Sequence, residues 1–413
     1  MHIIVIGAGA AGLMAAGQAA ARGARVTVLE KNDQPGKKLL ITGKGRCNIT
    51  NTEEMPDFIK YIPGNGQFLY SALARFNNRE LVDFFNGLGL ETKVERGGRV
   101  FPVSDRAGDV VKALVGFCRT QGVEFEYSAS VTDIKAPDGH VTSVKLKDGR
   151  EFVCDAAILA TGGASYPGTG STGDGYRMAE KLGHVIVTPK PALVPLETAE
   201  EWVQELQGLS LKNVEATAFN GGKKVGSEFG EMLFTHFGIS GPIILTLSRK
   251  VTQFLDKGEG VQIKINLKPA LTPEQLDARI QRDFISFANK QFSNSLHELL
   301  PKSLIPVMIK LSGIPGDKPV HQVAREERQK LAELLQGLVV TVTGTRPLRE
   351  AIVTAGGVSV KEINPQTMES KLVQGLYFAG ELVDVDAYTG GFNLQAAFSM
   401  GYAAGINAVA QDQ

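Results

Sequence analysis

The feature that most constrains this chain is a glycine-rich turn between a short apolar strand and a helix. The strand is predicted over His2–Ile6, and the turn follows the pattern G-x-G-x-x-G over Gly7–Gly12. In this pattern the first glycine allows the tight turn, the second lets a pyrophosphate approach the backbone, and the third lets the helix pack close to the sheet. The sequence therefore predicts a dinucleotide site at the N terminus of a helix over Leu13–Arg22.

A second strand and an acidic residue complete this signature. The strand is predicted over Arg25–Leu29 and ends at Glu30, the position at which a carboxylate binds the adenosine ribose and repels a 2′-phosphate. The sequence therefore favours FAD or NAD and excludes NADP as the ligand of this turn. The residues predicted to bind the cofactor here are Gly7, Gly9, Ala10, Ala11, Gly12, Glu30 and Lys31.

Composition narrows the class of partner. The 413 residues include 44 basic and 44 acidic side chains, so no net charge attracts nucleic acid or a membrane surface. We expect a small-molecule substrate and leave the oligomeric state open. The three cysteines form no C-x-x-C pair, which excludes a redox disulfide close in sequence and indicates a reducing compartment. With no signal-peptide pattern and no apolar run that could span a bilayer, the predicted location is the cytoplasm.

Two further segments favour FAD over NAD. The predicted strand Ala156–Ala160 runs into glycines, and a last strand over Gly375–Glu381 precedes a glycine-rich start to an Ala-rich helix that ends near Gly405. FAD is the longer ligand and would reach both helix starts, with its isoalloxazine ring at the second one, where the helix dipole stabilises an anionic reduced flavin. The alternative is a glycine-rich helix that only packs on the sheet. The residues predicted to bind FAD in these segments are Ala160, Thr161, Gly162, Gly163, Gly380, Glu381, Gly391, Phe392, Asn393 and Leu394.

The periodicity of apolar residues along the sequence changes near Pro189. Period-two alternation over Val214–Phe219 and Val261–Leu267 predicts antiparallel strands, whereas Thr272 and Gln275 form the capping box of a helix. Helical patterns are predicted over Arg282–Ala288, His297–Leu300, Ile305–Leu311 and Arg325–Leu335, and strand character returns at Val339–Thr343. The predicted domains are a nucleotide-binding domain (residues 1–188 and 352–413), an inserted β domain (189–270 and 337–351) and a nested helical domain (271–336).

Four segments carry a resemblance to a known family: Gly43–Asn51, Phe234–Pro242, Thr354–Val358 and Gly380–Gln395. They resemble the BaiN/RdsA-like NAD(P)/FAD-dependent oxidoreductases, a group that includes YhiN-like and aminoacetone-oxidase-like flavoproteins, over nearly the whole chain. The resemblance implies an α/β two-dinucleotide-binding-domain FAD fold of the Rossmann-like type, with an inserted β-barrel-like domain and a nested helical domain. It does not identify the substrate, because members reduce steroid double bonds or oxidise small amino ketones.

The family pattern also implies further cofactor contacts. The Gly43–Asn51 loop would wrap the nucleotide and the flavin edge. Lys37 and Lys38, just upstream, would pair with phosphate, the alternative being solvated loop charges. Val131 stands where such folds hold adenine by backbone groups. The loop residues predicted to bind FAD are Thr42, Gly43, Gly45, Arg46, Cys47 and Asn48.

Four residues are candidates for catalysis. Cys47 could form a thiolate beside Arg46, although a small buried residue against the flavin is the simpler interpretation. His236 could donate a proton, the alternative being a structural histidine, and Tyr388 is a second possible acid together with Asp386. We expect the substrate pocket to lie between the flavin and the inserted segment, with walls from residues 234–242 and 384–391.

A second G-x-G-x-x-G pattern occurs at Gly168–Gly173, but no strand leads directly into it. We interpret it as a turn that covers the flavin rather than as a dedicated nicotinamide site, so NAD(P)H would dock transiently or the substrate itself would supply hydride. The leading prediction is an FAD-dependent oxidoreductase that transfers hydride at flavin N5, with NAD(P)H-dependent reduction of a C=C bond as one form. The alternatives are an oxidase of a small amine or amino ketone, a flavin-dependent RNA-modifying enzyme and a non-catalytic flavin-binding regulator.

Overall fold

The computed structural model of the chain describes residues 1–409. No helix in this range is both long and apolar enough to cross a membrane. The strands, numbered along the chain, are β1 His2–Ile6, β2 Arg25–Leu29, β3 Thr50–Asn51, β4 Thr92–Glu95, β5 Arg99–Pro102, β6 Glu124–Glu126, β7 Val131–Lys135, β8 Ser143–Leu146, β9 Glu151–Val153, β10 Ala156–Leu159, β11 Ile186–Ala192, β12 Leu196–Thr198, β13 Ser210–Asn220, β14 Lys223–Thr235, β15 Gly238–Ser240, β16 Val261–Asn266, β17 Leu338–Thr345, β18 Val353–Val358 and β19 Leu376–Phe378. The α-helices are α1 Ala10–Ala20, α2 Lys37–Ile41, α3 Asp57–Lys60, α4 Tyr70–Arg75, α5 Asn78–Gly87, α6 Ala107–Thr120, α7 Asp174–Lys181, α8 Trp202–Glu205, α9 Pro242–Leu255, α10 Pro273–Ser286, α11 Phe292–Ser295, α12 Ile305–Ser312, α13 Arg325–Gln336 and α14 Phe392–Asn407.

The chain divides into two compact units. The first, here called the nucleotide unit, contains Met1–Ala192 and Pro347–Gln413, and the second, the barrel unit, contains Leu193–Arg346. The sequence pattern placed these boundaries at residues 188/189 and 351/352. The first boundary falls later because residues up to Ala192 in β11 pair with β18, which belongs to the nucleotide unit. Residues 410–413 of the predicted nucleotide-binding domain lie outside the described range.

A five-stranded parallel sheet forms the centre of the nucleotide unit. Its order is β19-β10-β1-β2-β6, so the chain moves outward from β1 in one direction and then in the other. The apolar residues Ile3–Ile6 of β1 are buried, as expected for a central parallel strand. This arrangement confirms the predicted Rossmann-like fold, and it puts a ligand crevice at the carboxyl ends of the strands where the order reverses.

Helix α1 begins three residues earlier and ends two residues earlier than predicted. Its N-cap is Gly9, in an extended conformation, and Ala10 and Ala11 already belong to the first turn. Alanine has the best helix propensity, so nothing delays the helix after the cap. At the other end Gly23 has a φ of 87°, the left-handed conformation that was predicted there. The residues between Ala20 and Gly23 form a turn and do not belong to the helix.

Helices α1 and α14 pack side by side in close contact. A Cβ at Gly401 would overlap the backbone oxygen of Ala11, and one at Gly405 would overlap that of Ala15. Between these two contacts the residue number increases by four in both helices, in the same direction. Helices α1 and α14 therefore run parallel. Gly401 lies nine residues after Phe392, the first residue of α14, whereas Ala11 is the second residue of α1. The start of α14 therefore extends beyond that of α1 by about eight residues, roughly 12 Å at the rise of an α-helix.

The barrel unit is a closed six-stranded barrel with helices that share its core. The barrel order is β12-β15-β14-β13-β16-β17, which confirms the predicted β-barrel-like insertion. Helices α10–α13 lie between β16 and β17 in the chain, and Leu276 and Ile280 of α10 belong to the same buried cluster as Ile263 of β16. The predicted capping box of α10 is present, with reciprocal bonds between Thr272 and Gln275. The predicted helix over His297–Leu300 is wrong, because these residues form turns.

Candidate functional site

The structure places four of the predicted cofactor segments at one edge of the parallel sheet. Gly7–Gly12 follows β1, Glu30 follows β2, Ala160–Gly163 follows β10, and Gly380–Glu381 follows β19 closely. These four strands are neighbours in the sheet. Their carboxyl ends meet at the same edge, so segments that are far apart in sequence line one crevice.

In the first glycine-rich turn, protein atoms lie close to Gly7 and Gly12, whereas the space beside Gly9 is open. A Cβ at Gly12 would overlap the carbonyl oxygen of Gly7, and a Cβ at Gly7 would lie 2.5 Å from the carbonyl oxygen of Ala160. Gly9 has no such neighbour within 4 Å in the described part of the chain. Because the first N–H groups of a helix have no intrahelical partner, the open space beside Gly9 fits an anion such as a pyrophosphate.

Glu30 is buried and held in place by backbone groups. Its Oε2 accepts a hydrogen bond from the N–H of Ala8 at 2.8 Å, and its Oε1 accepts from the N–H of Asn32 at 2.8 Å and from the Asn32 side chain at 2.7 Å. The carboxylate is thus fixed at the end of β2, where the sequence predicted a ribose contact. The neighbouring Lys31 is directed elsewhere, since its Nζ lies 2.6 Å from both Thr172 Oγ1 and Asp174 Oδ2.

Lys38 and Glu381 form the centre of a polar cluster. The Lys38 ammonium donates to Glu381 Oε2 and to Ser165 Oγ, both at 2.6 Å. Glu381 Oε1 accepts from Ser165 Oγ at 2.9 Å and from the Thr354 N–H at 2.8 Å. An ammonium has three N–H donors, and two are used here, so one remains for a ligand oxygen. A Cβ at Gly163 would lie 3.0 Å from Glu381 Oε1, which brings Gly163 into the same cluster.

The other predicted lysine is placed differently. Lys37 pairs with Asp33 at 2.8 Å, across one turn of the chain, and the Asp33 side chain is 77% exposed. The Lys37 ammonium lowers the pKa of the Asp33 carboxyl. Of the two lysines, Lys38 is therefore the one that the structure brings to the predicted cofactor residues, while Lys37 matches the alternative of a solvated ion pair.

The loop after α2 has a compact left-handed backbone. Gly43, Lys44 and Gly45 have φ values of 55°, 59° and 82°, and Thr42 Oγ1 donates to the carbonyl oxygen of Leu39 at 2.7 Å. Arg46 anchors the far side of the loop by ion pairs with Glu95 and Asp105 and by packing its guanidinium 4.1 Å from the centroid of the Phe101 ring. The guanidinium of Arg46 is thus bound to carboxylates.

Cys47 lies buried in this loop, with a φ of 62°. Burial raises the pKa of the Cys47 thiol to about 12, the direction opposite to the one that a thiolate nucleophile needs. These surroundings favour the simpler interpretation of Cys47 as a small buried residue, and its role as a nucleophile stays a prediction. The next residue, Asn48, has a buried Oδ1 with no hydrogen-bond partner within residues 1–409.

The start of α14 is held by several contacts of the residues predicted there. A Cβ at Gly391 would overlap the carbonyl oxygen of Thr50, and Phe392 stacks on Tyr61 with ring centroids 4.5 Å apart. The Asn393 amide bonds to both backbone groups of Ala387, at 2.8 and 2.9 Å. Leu394 is half-buried within the helix. These contacts fix the loop before the helix rather than leave it mobile.

The two possible acids in that loop lie in different surroundings. Asp386 is buried, and the N–H of Gly64 donates to its backbone oxygen at 3.1 Å. Tyr388 is half-buried, with its N–H bonded to the carbonyl oxygen of Tyr61 at 2.9 Å. Asp386 is therefore not a surface residue.

The remaining nucleotide-unit candidates lie close to the crevice. Val131 opens β7, and the segment before it is joined to β2 because the Ala129 N–H bonds to the carbonyl oxygen of Glu30 at 2.9 Å. Thr161 lies against Gly175 of α7, and its buried hydroxyl has no hydrogen-bond partner in the described chain. Gly162 has a φ of 75°, which lets the chain turn after β10.

His236 belongs to the barrel unit. It lies in the turn between β14 and β15, where it is exposed and its ring meets Phe237 edge to face at 5.0 Å. Its exposure shows that His236 is not a core histidine. Its role as a proton donor stays a prediction.

Sequence reasoning missed several residues that organise the site. Ser165 and Thr354 hold Glu381, and Asn32 holds Glu30, although none of them follows a cofactor pattern. Thr354 was part of a family-like segment without an assigned role. No local signal identifies Ser165, because its contact with Glu381 spans 216 positions of sequence. Asn32 stands only two residues after Glu30 and could have been noticed there.

Residues 1–407 match the family model described as "HI0933-like protein Rossmann domain". The chain belongs to this family. It is similar to a 3-dehydro-bile acid delta(4,6)-reductase of Clostridium scindens, with 34% identity over 98% of both chains. It is also similar to a ribosomal RNA dihydrouridine synthase of Escherichia coli, with 35% identity over 98% of both chains. The predicted family resemblance is thereby confirmed.

The fold also matches solved structures at low sequence identity. A 3-ketosteroid delta1-dehydrogenase from Sterolibacterium denitrificans shares 13% identity with the chain, covers 98% of both chains and gives a TM-score of 0.53. This similarity concerns the fold alone, and it agrees with the Rossmann-like sheet described above.

Proposed function

We propose that this chain is an FAD-dependent oxidoreductase that reduces a carbon–carbon double bond conjugated to a carbonyl group. The observation that carries the cofactor assignment is the pair of parallel helices α1 and α14, whose N termini are offset by roughly 12 Å beside the carboxyl edge of the sheet. A ligand with phosphates at one helix and a reactive ring at the other fits this offset. FAD is longer than NAD between these groups, so the offset favours FAD.

The chain's residues would hold FAD without a covalent bond. The open turn at Gly9 would bind the pyrophosphate, and Glu30 would accept a hydrogen bond from the adenosine ribose. Glu381 and Lys38 would meet the ribityl and phosphate oxygens near the end of β19. The N terminus of α14 would stabilise negative charge on the reduced ring. When bound, FAD supplies hydride transfer at N5.

The names of the two relatives support the proposed reaction class. A delta(4,6)-reductase acting on a 3-dehydro-bile acid saturates a double bond conjugated to the 3-oxo group, and a dihydrouridine synthase saturates the uracil C5=C6 bond conjugated to the C4 carbonyl. In both reactions the carbon of the double bond that is farther from the carbonyl receives hydride, and the nearer carbon receives a proton. The shared chemistry therefore supports a reductase of this type.

The proton would come from Tyr388 or His236. Tyr388 is held in the loop before α14, and His236 is exposed on the barrel unit. If either residue is the donor, Tyr388→Phe or His236→Ala lowers turnover by roughly 10²–10⁴-fold while the FAD content and the flavin spectrum are unchanged. A parallel loss of FAD would instead indicate a structural role, and wild-type turnover would remove that residue from the mechanism.

Anaerobic stopped-flow reduction tests the cofactor and its reductant together. We propose that NAD(P)H docks transiently, so the yellow protein is mixed with NADH or NADPH, and the reduced protein is then mixed with a 3-oxo-4,6-diene steroid. Bleaching by one nicotinamide followed by reoxidation by the steroid is the expected result. A protein that stays colourless after reconstitution with FAD, or that releases NAD or FMN on denaturation, contradicts the cofactor assignment.

A second candidate is reduction of uridine in RNA, favoured by the similarity to the E. coli dihydrouridine synthase. Although the zero net charge led us to expect no nucleic-acid partner, the hairpin between β13 and β14 carries the exposed Lys223 and Lys224. The same reduced protein is mixed with a uridine-containing ribosomal RNA transcript. Faster reoxidation by the RNA than by the steroid, with a rate that falls steeply with salt, would favour this candidate.

A further inference from the structure

The second glycine-rich turn, Gly168–Gly173, packs against the residues that follow β2. A Cβ at Gly170 would lie 2.5 Å from Asn32 Nδ2 and 3.4 Å from Lys31 Cε. The Asn32 amide also donates to the carbonyl oxygen of Thr169 at 3.1 Å. The space where a side chain of Gly170 would lie is thus occupied by the segment next to Glu30.

Asn32 joins that turn to the Glu30 carboxylate. It donates its backbone N–H and its amide Nδ2 to Glu30 Oε1, at 2.8 and 2.7 Å, while the Ala8 N–H in the first glycine-rich turn donates to Oε2. A carboxylate offers about four acceptor positions, so three are filled and one remains. The Asn32 amide therefore acts together with two backbone N–H groups to fix the direction in which the remaining acceptor of the buried Glu30 points.

Lys31 makes a second connection between the same two segments. Its ammonium lies 2.6 Å from both Thr172 Oγ1 and Asp174 Oδ2, and the two side chains of the ion pair are 28% and 29% exposed. Asp174 also pairs with Arg177 on α7. The turn is therefore attached at both ends, by Asn32 at Thr169 and by Lys31 at Thr172 and Asp174.

We propose that Asn32 is a positioning residue for Glu30, and that the Gly168–Gly173 turn belongs to the ribose end of the nucleotide site and not to a nicotinamide site. This inference rests on the proposed FAD function. Through Asn32 the turn holds Glu30 in the orientation that accepts a hydrogen bond from a 2′-hydroxyl, so the chain discriminates a ribonucleotide from a 2′-deoxyribonucleotide.

The test is displacement of FAD from the holoprotein by ADP or by 2′-deoxy-ADP, followed by the fluorescence of released FAD. The wild type is expected to prefer ADP by roughly 10-fold, the value of one hydrogen bond to a charged group. Asn32→Ala is expected to reduce this preference to about twofold or less. The matched control is Asn220→Ala, which removes a side-chain bond to the carbonyl oxygen of Gly260 in the barrel unit and is expected to keep the preference.

A purely structural role of Asn32 predicts a different result, in which both competitors change equally and the preference is retained, and this outcome overturns the inference. If Asn32→Ala does not fold, Asn32→Ser is used in the same assay, since its hydroxyl keeps one donor and is expected to give an intermediate preference. A wild-type protein that binds no FAD contradicts the proposed function itself. A wild type that binds FAD without any preference for ADP contradicts only the present inference.

Discussion

The two G-x-G-x-x-G turns of this chain share a pattern of letters and differ in almost everything else. Gly7–Gly12 follows β1 directly, and α1 begins within the turn. Gly168–Gly173 is separated from β10 by eight residues, passes through a short 3₁₀ turn, and ends before α7 begins at Asp174. Only the first turn leads from a parallel strand into a helix, as a phosphate-binding turn requires.

The difference continues in what fills each turn. Gly9 has open space where a side chain would be, whereas the corresponding Gly170 faces Asn32 and Lys31. The backbone of the first turn is thus accessible to a ligand. In the second turn the lack of a side chain lets a neighbouring segment of the protein pack against the backbone. A glycine pattern therefore predicts that another group lies close to the backbone of the turn. The strands around the turn determine whether that group belongs to a ligand or to the protein itself.

The largest effect is expected at the third glycine of the first turn. In Gly12→Ala the new Cβ would overlap the backbone oxygen of Gly7, and a backbone atom cannot rotate away as a side chain can. We expect a loss of roughly 3 kcal/mol or more in the free energy of unfolding and almost no FAD in the purified protein. Thermal unfolding and the absorbance ratio at 450 and 280 nm measure both. Normal FAD content would show that the first turn can accommodate a Cβ at position 12, and would contradict this prediction.

Removing the acid next to the first turn should have the next largest effect. Glu30→Ala deletes a charged acceptor and leaves the N–H groups of Ala8 and Asn32 without it. We expect FAD binding to weaken by roughly 1.5–3 kcal/mol, which is about a 10- to 150-fold rise in Kd. Titration of FAD fluorescence measures the change. An unaltered Kd would mean that Glu30 does not contact the cofactor.

Acid should affect the region of the second turn more than that of the first. His184 follows α7, is buried, and lies 2.9 Å from Ser370 Oγ and 3.3 Å from Glu362 Oε2. Burial lowers the pKa of His184, and the neighbouring Glu362 opposes this only in part. Because the unfolded chain binds the proton more readily, stability is full above an unfolded pKa of about 6.5 and is lost as the pH falls toward the folded pKa.

Hydrogen exchange at pH 7.5 and pH 5.5 checks this prediction, with α7 expected to lose more protection than α1. His184→Gln keeps a partner for Ser370 but does not titrate, so it should flatten the pH dependence of α7. The matched control is His140→Gln, at an exposed histidine of the same unit, which should leave the dependence unchanged. Equal loss in α1 and α7 would show that the acid response is global.

The smallest effect is expected at the first glycine of the second turn. Gly168 has no neighbour within 4 Å of an added Cβ in the described chain, and its φ is not positive. We expect Gly168→Ala to change stability by less than about 1 kcal/mol, and in the stabilising direction if at all, because alanine restricts the unfolded chain. The same FAD titration is used. A clear loss of FAD binding would mean that the second turn resembles the first after all.

Local patterns predicted those parts of the fold that depend on neighbouring residues. The strands β1 and β2 have the predicted bounds, and the capping box of α10 is present. The first residue of α1 was wrong by three positions, because glycine at the cap and alanine within the helix give no sharp local signal. The helix predicted over 297–300 failed because four apolar-patterned residues are too few to distinguish a helix from a turn.

The site was predictable where one residue type serves one purpose. Gly12 was predicted to let the helix pack closely, and a Cβ there would indeed overlap backbone. The contact of Gly391 with the Thr50 backbone was not predicted. Contacts of side chains with distant segments were not predictable. Ser165 meets the Glu381 carboxylate across 216 positions of sequence, and the Asn32 amide meets the backbone oxygen of Thr169 across 137. The reactivity of Cys47 also depends on burial, which the basic neighbours in its sequence do not reveal.

The contact between α1 and α14 has a consequence for the order of events during protein synthesis. Gly401 is added to the growing chain 390 residues after Ala11. At 5–20 residues per second the interval is on the order of 20–80 s. Throughout this time the nascent chain presents the small-residue face of its first helix without its native neighbour. A chain truncated before Phe392 is therefore expected not to retain FAD, and the cofactor is loaded only after α14 has been synthesised.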